Sequence, residues 1–122
     1  MRDFTKLTIW QRSHLLTLSI YKTTKNFPRE ELFALTSQMR RSSYSIPTNI
    51  AEGCGRTTRR QFKNFLNIAA GSATELHYQL ILSKDLFYIQ ESTFHQLSNE
   101  VIEIRKMLHA YMDKLQEPLS SS

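Results

Sequence analysis

The stretch Gln38-Met-Arg-Arg-Ser-Ser-Tyr-Ser-Ile-Pro-Thr-Asn-Ile-Ala-Glu-Gly-Cys-Gly-Arg56 decides how the chain folds. Ile46, Ile50 and Ala51 keep helical spacing around Pro47, so one apolar face continues across a residue with no backbone N–H to donate. The proline ring also clashes with the carbonyl one turn earlier, so a helix that runs through it bends or breaks there. Ser42, Ser43, Ser45 and Asn49 lie beside that point, where their side chains can bond the carbonyls it frees. Gly53 and Gly55 close the segment, as the preference for glycine at helix C-termini predicts.

Working outward, the helix built on this stretch is expected from about Arg29 to Gly53. Pro28 suits its first turn, and Glu30 and Glu31 lie near its positive dipole end. Its inner face reads Leu32, Leu35, Met39, Ser42, Ser43, Ile46 and Ile50, with small residues in the middle that let a neighbour approach. Downstream, Thr58-Arg-Arg-Gln61 matches a capping box and opens a third helix, with Phe62, Leu66, Ala69, Ala73, Leu76, Leu80 and Phe87 on one face. After a connection spanning Tyr88 to Ser92, with its cap at Gln90 or Ser92, the fourth helix carries Phe94, Leu97, Val101, Ile104, Leu108, Tyr111 and Leu115, the seam of a bundle. Upstream, a first helix from about Thr5 to Lys25 places Leu7, Trp10, His14, Leu18 and Tyr21 on one face, where His14 reads as a hydrogen-bonded core residue. The expected fold is therefore all-α, an antiparallel up-and-down four-helix bundle with helix two bent at Pro47. It forms a single domain over residues 1–118, and a frayed tail of residues 119–122 follows Pro118.

Two helices carry apolar residues on a second side. Ile9, Leu16 and Ile20 recur nearly opposite the first stripe of helix one, and Ile68, Leu82 and Leu86 lie on the far side of helix three. A helix with one buried face should be polar there, so these six residues are expected at an oligomer interface.

Composition bounds the class. Three Gly and three Pro are too few turn formers for a many-stranded β fold. The single cysteine, Cys54, leaves no internal disulfide and suits a reducing compartment, so a cytoplasmic location is expected. The start, Met-Arg-Asp-Phe-Thr-Lys, lacks the apolar run of a signal peptide, and no stretch approaches the roughly 18 apolar residues of a membrane span.

The net charge of +5 is localised. Between Arg40 and Lys63 stand Arg40, Arg41, Arg56, Arg59, Arg60 and Lys63 against Glu52 alone, and the remaining residues sum to zero. Such a patch points to an anionic partner or, read more plainly, to a solvated face. Arg56, Arg59, Arg60 and Lys63 sit where a loop meets a helix N-terminus, and both the side chains and the free amides there favour phosphate oxygens. No exposed aromatic residue interleaves with them, since Phe62 belongs to the core. Recognition of a nucleic-acid backbone or shape is expected, with little sequence preference and no base stacking.

No catalytic constellation accompanies the patch. His14, His77, His95 and His109 are never paired at one-turn spacing, and Cys54 has no nearby ligand partner, so neither a metal nor a cofactor is expected. Gly53-Cys54-Gly55 lacks the spacing of a phosphate loop. Arg105 and His109 are one residue too close for the arginine–histidine signature of small helical ribonucleases. Glu52 and Glu75 lie on different helices, where ion pairing or capping is the simpler role. The reading is a non-enzymatic, homo-oligomeric nucleic-acid-binding bundle. The alternative is a protein-interaction scaffold or accessory subunit that does not itself bind nucleic acid.

Three runs carry a family resemblance: Phe27-Pro28-x-Glu30-Glu31-Leu-Phe-x-Leu35-Thr-Ser-Gln38-Met-Arg-Arg41, then Ser45-Ile-Pro-x-Asn49-Ile-Ala-Glu-Gly53, then Phe62-x-x-Phe65-Leu-x-Ile-Ala-x-Gly71-Ser72-x-x-Glu75-Leu76. They resemble the four-helix bundle proteins encoded in intervening sequences of bacterial 23S ribosomal RNA genes, a family that includes the accessory variability determinant of diversity-generating retroelements. The resemblance implies a ring-shaped homopentamer that gathers five basic segments. It also implies RNA or DNA as a ligand and, in the retroelement branch, a reverse transcriptase or other protein as partner. Phe87 stands where relatives often have glycine, and Ser42-Ser43 replace the more usual alanines.

Overall fold

The structure is a computed structural model that describes residues 2–115; the expected tail lies outside the described residues. Four helices follow one another: α1 (Thr8–Thr24), α2 (Leu35–Cys54), α3 (Arg59–Asp85) and α4 (Glu91–Leu115). Short 3-10 turns, Phe4–Lys6 and Arg29–Glu31, precede α1 and α2. Each helix packs against its neighbour in the chain and α4 returns to α1, which makes an up-and-down four-helix bundle. Across the closing seam the Arg12 guanidinium grips the Glu100 carboxylate at 2.6 and 2.9 Å. That hydrogen bond is the main reason the Arg12 pKa stands above its ordinary value.

The α1–α2 contact is governed by one missing hydrogen. α2 continues unbroken across Pro47, whose absent N–H leaves the Ser43 carbonyl without its helical donor. Sequence spacing offered Ser42, Ser43, Ser45 and Asn49 as rescuers. Three of these instead bond other carbonyls of their own helix: Ser42 Oγ donates to Gln38, Ser43 Oγ to Arg40 and Asn49 Nδ2 to Ser45, while the Ser45 hydroxyl pairs with that of Ser72 in α3 at 2.9 Å. The donor to the Ser43 carbonyl is Thr17 of α1. Its hydroxyl lies 3.0 Å from that oxygen and 2.9 Å from the Ser13 carbonyl, so its one proton serves both.

That bond fixes the rotation of α1 and reverses the expected assignment of its faces. Ile9, Leu16 and Ile20, expected on an outward stripe, are 4, 2 and 0% exposed and belong to the core. They alternate there with the small hydroxyl residues Ser13, Thr17 and Thr24, which satisfy their own donors on backbone carbonyls. Spacing weighted the bulkier Trp10, His14, Leu18 and Tyr21 as core. His14, Leu18 and Tyr21 are exposed and Trp10 is half-buried. A close α1–α2 contact admits small residues and excludes large rings, so the hydroxyl stripe turns inward.

Further corrections concern element ends. The residues from Arg29 to Ala34 form a 3-10 turn and a bend before α2 begins at Leu35, and Leu32 is exposed rather than on the inner face. α4 opens at Glu91, which leaves Gln90 at the cap position and its carbonyl accepting from the Phe94 amide. The inward stripe of α4 is as expected from Phe94 to Leu108 and at Leu115; between them Met112 is buried and Tyr111, expected there, is half-buried against the core.

Phe87, expected on the inner face of α3, is 92% exposed. It holds the left-handed position of a Schellman turn with φ 64°. The Tyr88 amide donates to Ser83 O at 2.9 Å and the Phe87 amide to Lys84 O at 3.0 Å. The turn is anchored by Tyr88, whose hydroxyl donates to Glu31 Oε2 at 2.8 Å; the carboxylate lifts the Tyr88 pKa above its usual value. A residue with a Cβ at C′ is strained there, because the left-handed region brings the Cβ too close to the following carbonyl oxygen.

Two stability changes follow. Thr17→Val removes the hydroxyl at constant shape and is expected to cost about 1–3 kcal/mol. In a Pro47→Ala background a backbone amide reaches the Ser43 carbonyl and the same change costs about half as much or less, read as coupling in a denaturant double-mutant cycle. Phe87→Gly relieves the left-handed strain and loses no packing, so the unfolding free energy rises by about 0.5–1 kcal/mol, measured by the same denaturation.

Candidate functional site

The candidate site is the end of the bundle where α2 hands over to α3. α2 ends at Cys54, and the amides of Gly55 and Arg56 donate to Glu52 O and Gly53 O at 3.1 and 3.0 Å. Gly55 has φ −84°, so the left-handed freedom of glycine is not what closes this helix. Gly53 matters for closeness instead. A Cβ there would lie 2.7 Å from Phe62 Cδ1 and 3.0 Å from Phe65 Cβ, so α3 reaches α2 only because position 53 has no side chain. Thr58 caps α3, its side chain accepting from the Gln61 amide at 3.1 Å, as the capping-box spacing predicts.

The structure divides the basic segment read from the sequence. Arg40 and Arg41 lie near the start of α2, roughly 20 Å along the helix from its end at about 1.5 Å per residue. Arg40 is engaged at the C-terminus of α1: its Nε donates to Thr24 Oγ1 at 2.9 Å and its guanidinium stacks 4.7 Å over the Tyr21 ring. Arg41 is exposed beside a small polar notch shared with Ser45, Ser72 and Glu75. Arg56, Arg59, Arg60 and Lys63 remain together at the α2–α3 corner. Arg56 pairs with Glu52 at 2.7 Å and stacks 4.8 Å from the Phe65 centroid. This pair is solvent-exposed, so it orients the guanidinium more than it stabilises the fold.

Cations distant in sequence join this corner. The Arg2 amide donates to the Cys54 carbonyl at 3.4 Å, and the Arg2 guanidinium lies 4.5 Å over the Phe62 ring. Lys6 and Lys114 line a shallow cleft between the first turn of α1 and the last turn of α4, at the same end of the bundle. Among the described residues, this end thus carries Arg2, Lys6, Arg56, Arg59, Arg60, Lys63 and Lys114 against Asp3, Glu52 and Asp113. No local motif marks Arg2 or Lys6, because only the return of the chain start to the α2 C-terminus brings them there. Cys54, just beneath, is buried. That burial pushes its thiol pKa up, and Arg2 partly offsets the shift.

The residues expected at an oligomer interface separate in the same way. Ile9, Leu16 and Ile20 are core, Leu82 is half-buried against it, and Ile68 and Leu86 are exposed. Leu15, which spacing did not single out, and Leu18, which it placed in the core, are the outward aliphatic residues of α1. Among the described residues no three His, Cys, Asp or Glu side chains gather where they could hold a metal ion. Among the same residues, no helix is long and apolar enough to cross a membrane.

Fold and site together define a small all-helical bundle with one cationic end. A family model for the 23S rRNA-intervening sequence protein matches residues 5–110, and the chain belongs to that family. A crystal structure from Bacteroides thetaiotaomicron, described as a protein of unknown function from the S23 ribosomal protein family, is similar at 30% identity and a TM-score of 0.78. The match covers 86% of this chain and 98% of that one. No curated protein matches the chain.

The corner makes a contrasting pair of glycine predictions. Gly53→Ala forces a methyl into the fully buried Phe62 ring, and the overpacking outweighs the gain in helix propensity, a net loss of about 1–2 kcal/mol. Gly71→Ala, with open space where the methyl would stand, raises stability by up to about 1 kcal/mol. Thermal denaturation followed by circular dichroism separates the two signs.

Proposed function

We propose that the chain is a non-enzymatic, cytoplasmic, homo-oligomeric bundle that binds structured RNA or DNA through the phosphate backbone at its cationic end. The observation that carries this reading is the convergence of Arg2 on the corner formed by Arg56, Arg59, Arg60 and Lys63, with Lys6 and Lys114 at the same end of the bundle. Charge from both ends of the first sixty-odd residues is thereby concentrated on one surface, which is the arrangement a polyanion rewards. Arg40 is excluded from this surface by its place at the α1 C-terminus. The family resemblance supports assembly as a pentamer, and an oligomer would cover the exposed aliphatic residues Leu15 and Leu18 on α1 and Ile68 on α3.

A second reading, a scaffold that docks another protein, has one observation of its own. Leu32, Phe33, Leu86 and Phe87 are all exposed, and the Tyr88–Glu31 hydrogen bond draws their two segments together at the end opposite the cations. The two readings separate in a binding experiment across a salt series with a structured nucleic acid. Arg2→Glu is expected to weaken binding and, on duplex DNA, to flatten the log–log salt slope by about 0.9 for each phosphate it no longer neutralises. An Arg59→Glu, Arg60→Glu double variant is expected to do so more strongly. Unchanged affinity and slope in both variants would leave the scaffold reading.

A further inference from the structure

We propose that the groove between α1 and α2 binds unpaired nucleotides of the nucleic acid held at the cationic end, an inference that rests on the function proposed above. The groove has a volume of about 880 Å³, within the range of ligand sites, and opens along the outside of the α1–α2 contact. Its floor is Thr17 and Pro47, the two residues that set the close approach of the helices. Small side chains at Thr48 and Ala51 and none at Gly55 keep the α2 wall low.

Aromatic rings stand along both walls. On α1 the Trp10 and His14 rings are stacked in parallel, 5.1 Å apart at 8°, and Tyr21 follows two turns on. Tyr44 faces them from α2 and is exposed. One guanidinium lines the groove, that of Arg56 where it meets the cationic end. Outside the lining at the other end, Arg40 covers one face of the Tyr21 ring. Of five N–H donors on each, Arg40 commits two, to Thr24 and to the Tyr21 carbonyl, and Arg56 one, to Glu52. From Trp10 to Tyr21 the groove runs about 16 Å, room for about five nucleotides at roughly 3.4 Å per stacked step.

Exposed aromatic rings, Tyr44 foremost, beside the Arg56 guanidinium match the stacking and backbone contacts by which single strands are held. A partner helix would require an aliphatic seam. The exposed aliphatic residues of α1, Leu15 and Leu18, do not line the groove. The one carboxylate in the lining, Glu52, is already neutralised by Arg56 at 2.7 Å.

Trp10 is the only tryptophan of the chain, so its fluorescence reports on this groove alone. The full-length protein is titrated with an eight-nucleotide oligouridylate and, separately, with a blunt RNA duplex. The octamer is expected to quench Trp10. Tyr44→Leu should weaken octamer binding about tenfold and leave duplex affinity unchanged, while Tyr44→Phe, which keeps the ring, restores it. Should Tyr44→Leu lose helicity, His14→Ala at an exposed position replaces it. Duplex binding with no octamer quenching would overturn the groove and leave the cationic end standing. No binding of either RNA would overturn both. Trp10 emission that responds only to protein concentration would assign the groove to a second copy of the chain and overturn the inference.

Discussion

The Ser43 carbonyl is the point on which the α1 side of the bundle turns. Pro47 removes its helical donor, and a carbonyl left buried without a partner costs about 1–3 kcal/mol. The donor is therefore drawn from the next helix, and a hydroxyl reaches only if the two backbones are close. Closeness selects Ser13, Thr17 and Thr24 for the inner stripe of α1, and it turns Trp10, His14 and Tyr21 outward. Arg40 then finds the exposed end of α1, bonding Thr24 and lying over Tyr21. A missing hydrogen in α2 thus determines which surface α1 presents to solvent, including the aromatic wall of the groove.

The two ends of the bundle are built by different devices and have different chemistry. At the α2–α3 end, the absent side chain of Gly53 lets the Phe62 ring and the Phe65 Cβ press against α2, and a guanidinium lies over each of the two rings. Packing and charge are coupled there, because the aromatic residues that close the core also orient Arg2 and Arg56. At the α3–α4 end a Schellman turn places Phe87 in the left-handed region with its ring in solvent. Strain and exposed apolar surface at one end, and concentrated cations at the other, give the molecule a polarity that a symmetric bundle would lack.

Much of the fold was legible in the sequence because it rests on local signals. The regular stripe from Phe94 to Leu108, the Thr58 cap and the tolerance of Pro47 within an apolar helical face depend on residues a few positions apart. The cationic corner from Arg56 to Lys63 was legible for the same reason. Where size and hydrophobicity were the guide, spacing misread α1, since it ranks a tryptophan above a threonine for burial and cannot register that a neighbouring helix needs a hydroxyl. Leu32 and Phe87 failed likewise, placed on inner faces by periodicity in segments where the backbone leaves the helix.

By itself, then, the sequence determined four amphipathic helices, their order and the location of the excess charge, all properties of side chains within a turn or two of each other. The tertiary structure alone decided the rotation of α1, the recruitment of Arg2 and Lys6 to the cationic end, the removal of Arg40 from it and the existence of the aromatic groove. Each of these depends on an atom of one segment meeting an atom of another far along the chain: Thr17 Oγ1 at Ser43 O, the Arg2 amide at Cys54 O, Arg40 Nε at Thr24 Oγ1. Buried backbone groups must be paired wherever the partner lies, and no pattern of spacing within a single helix carries that address.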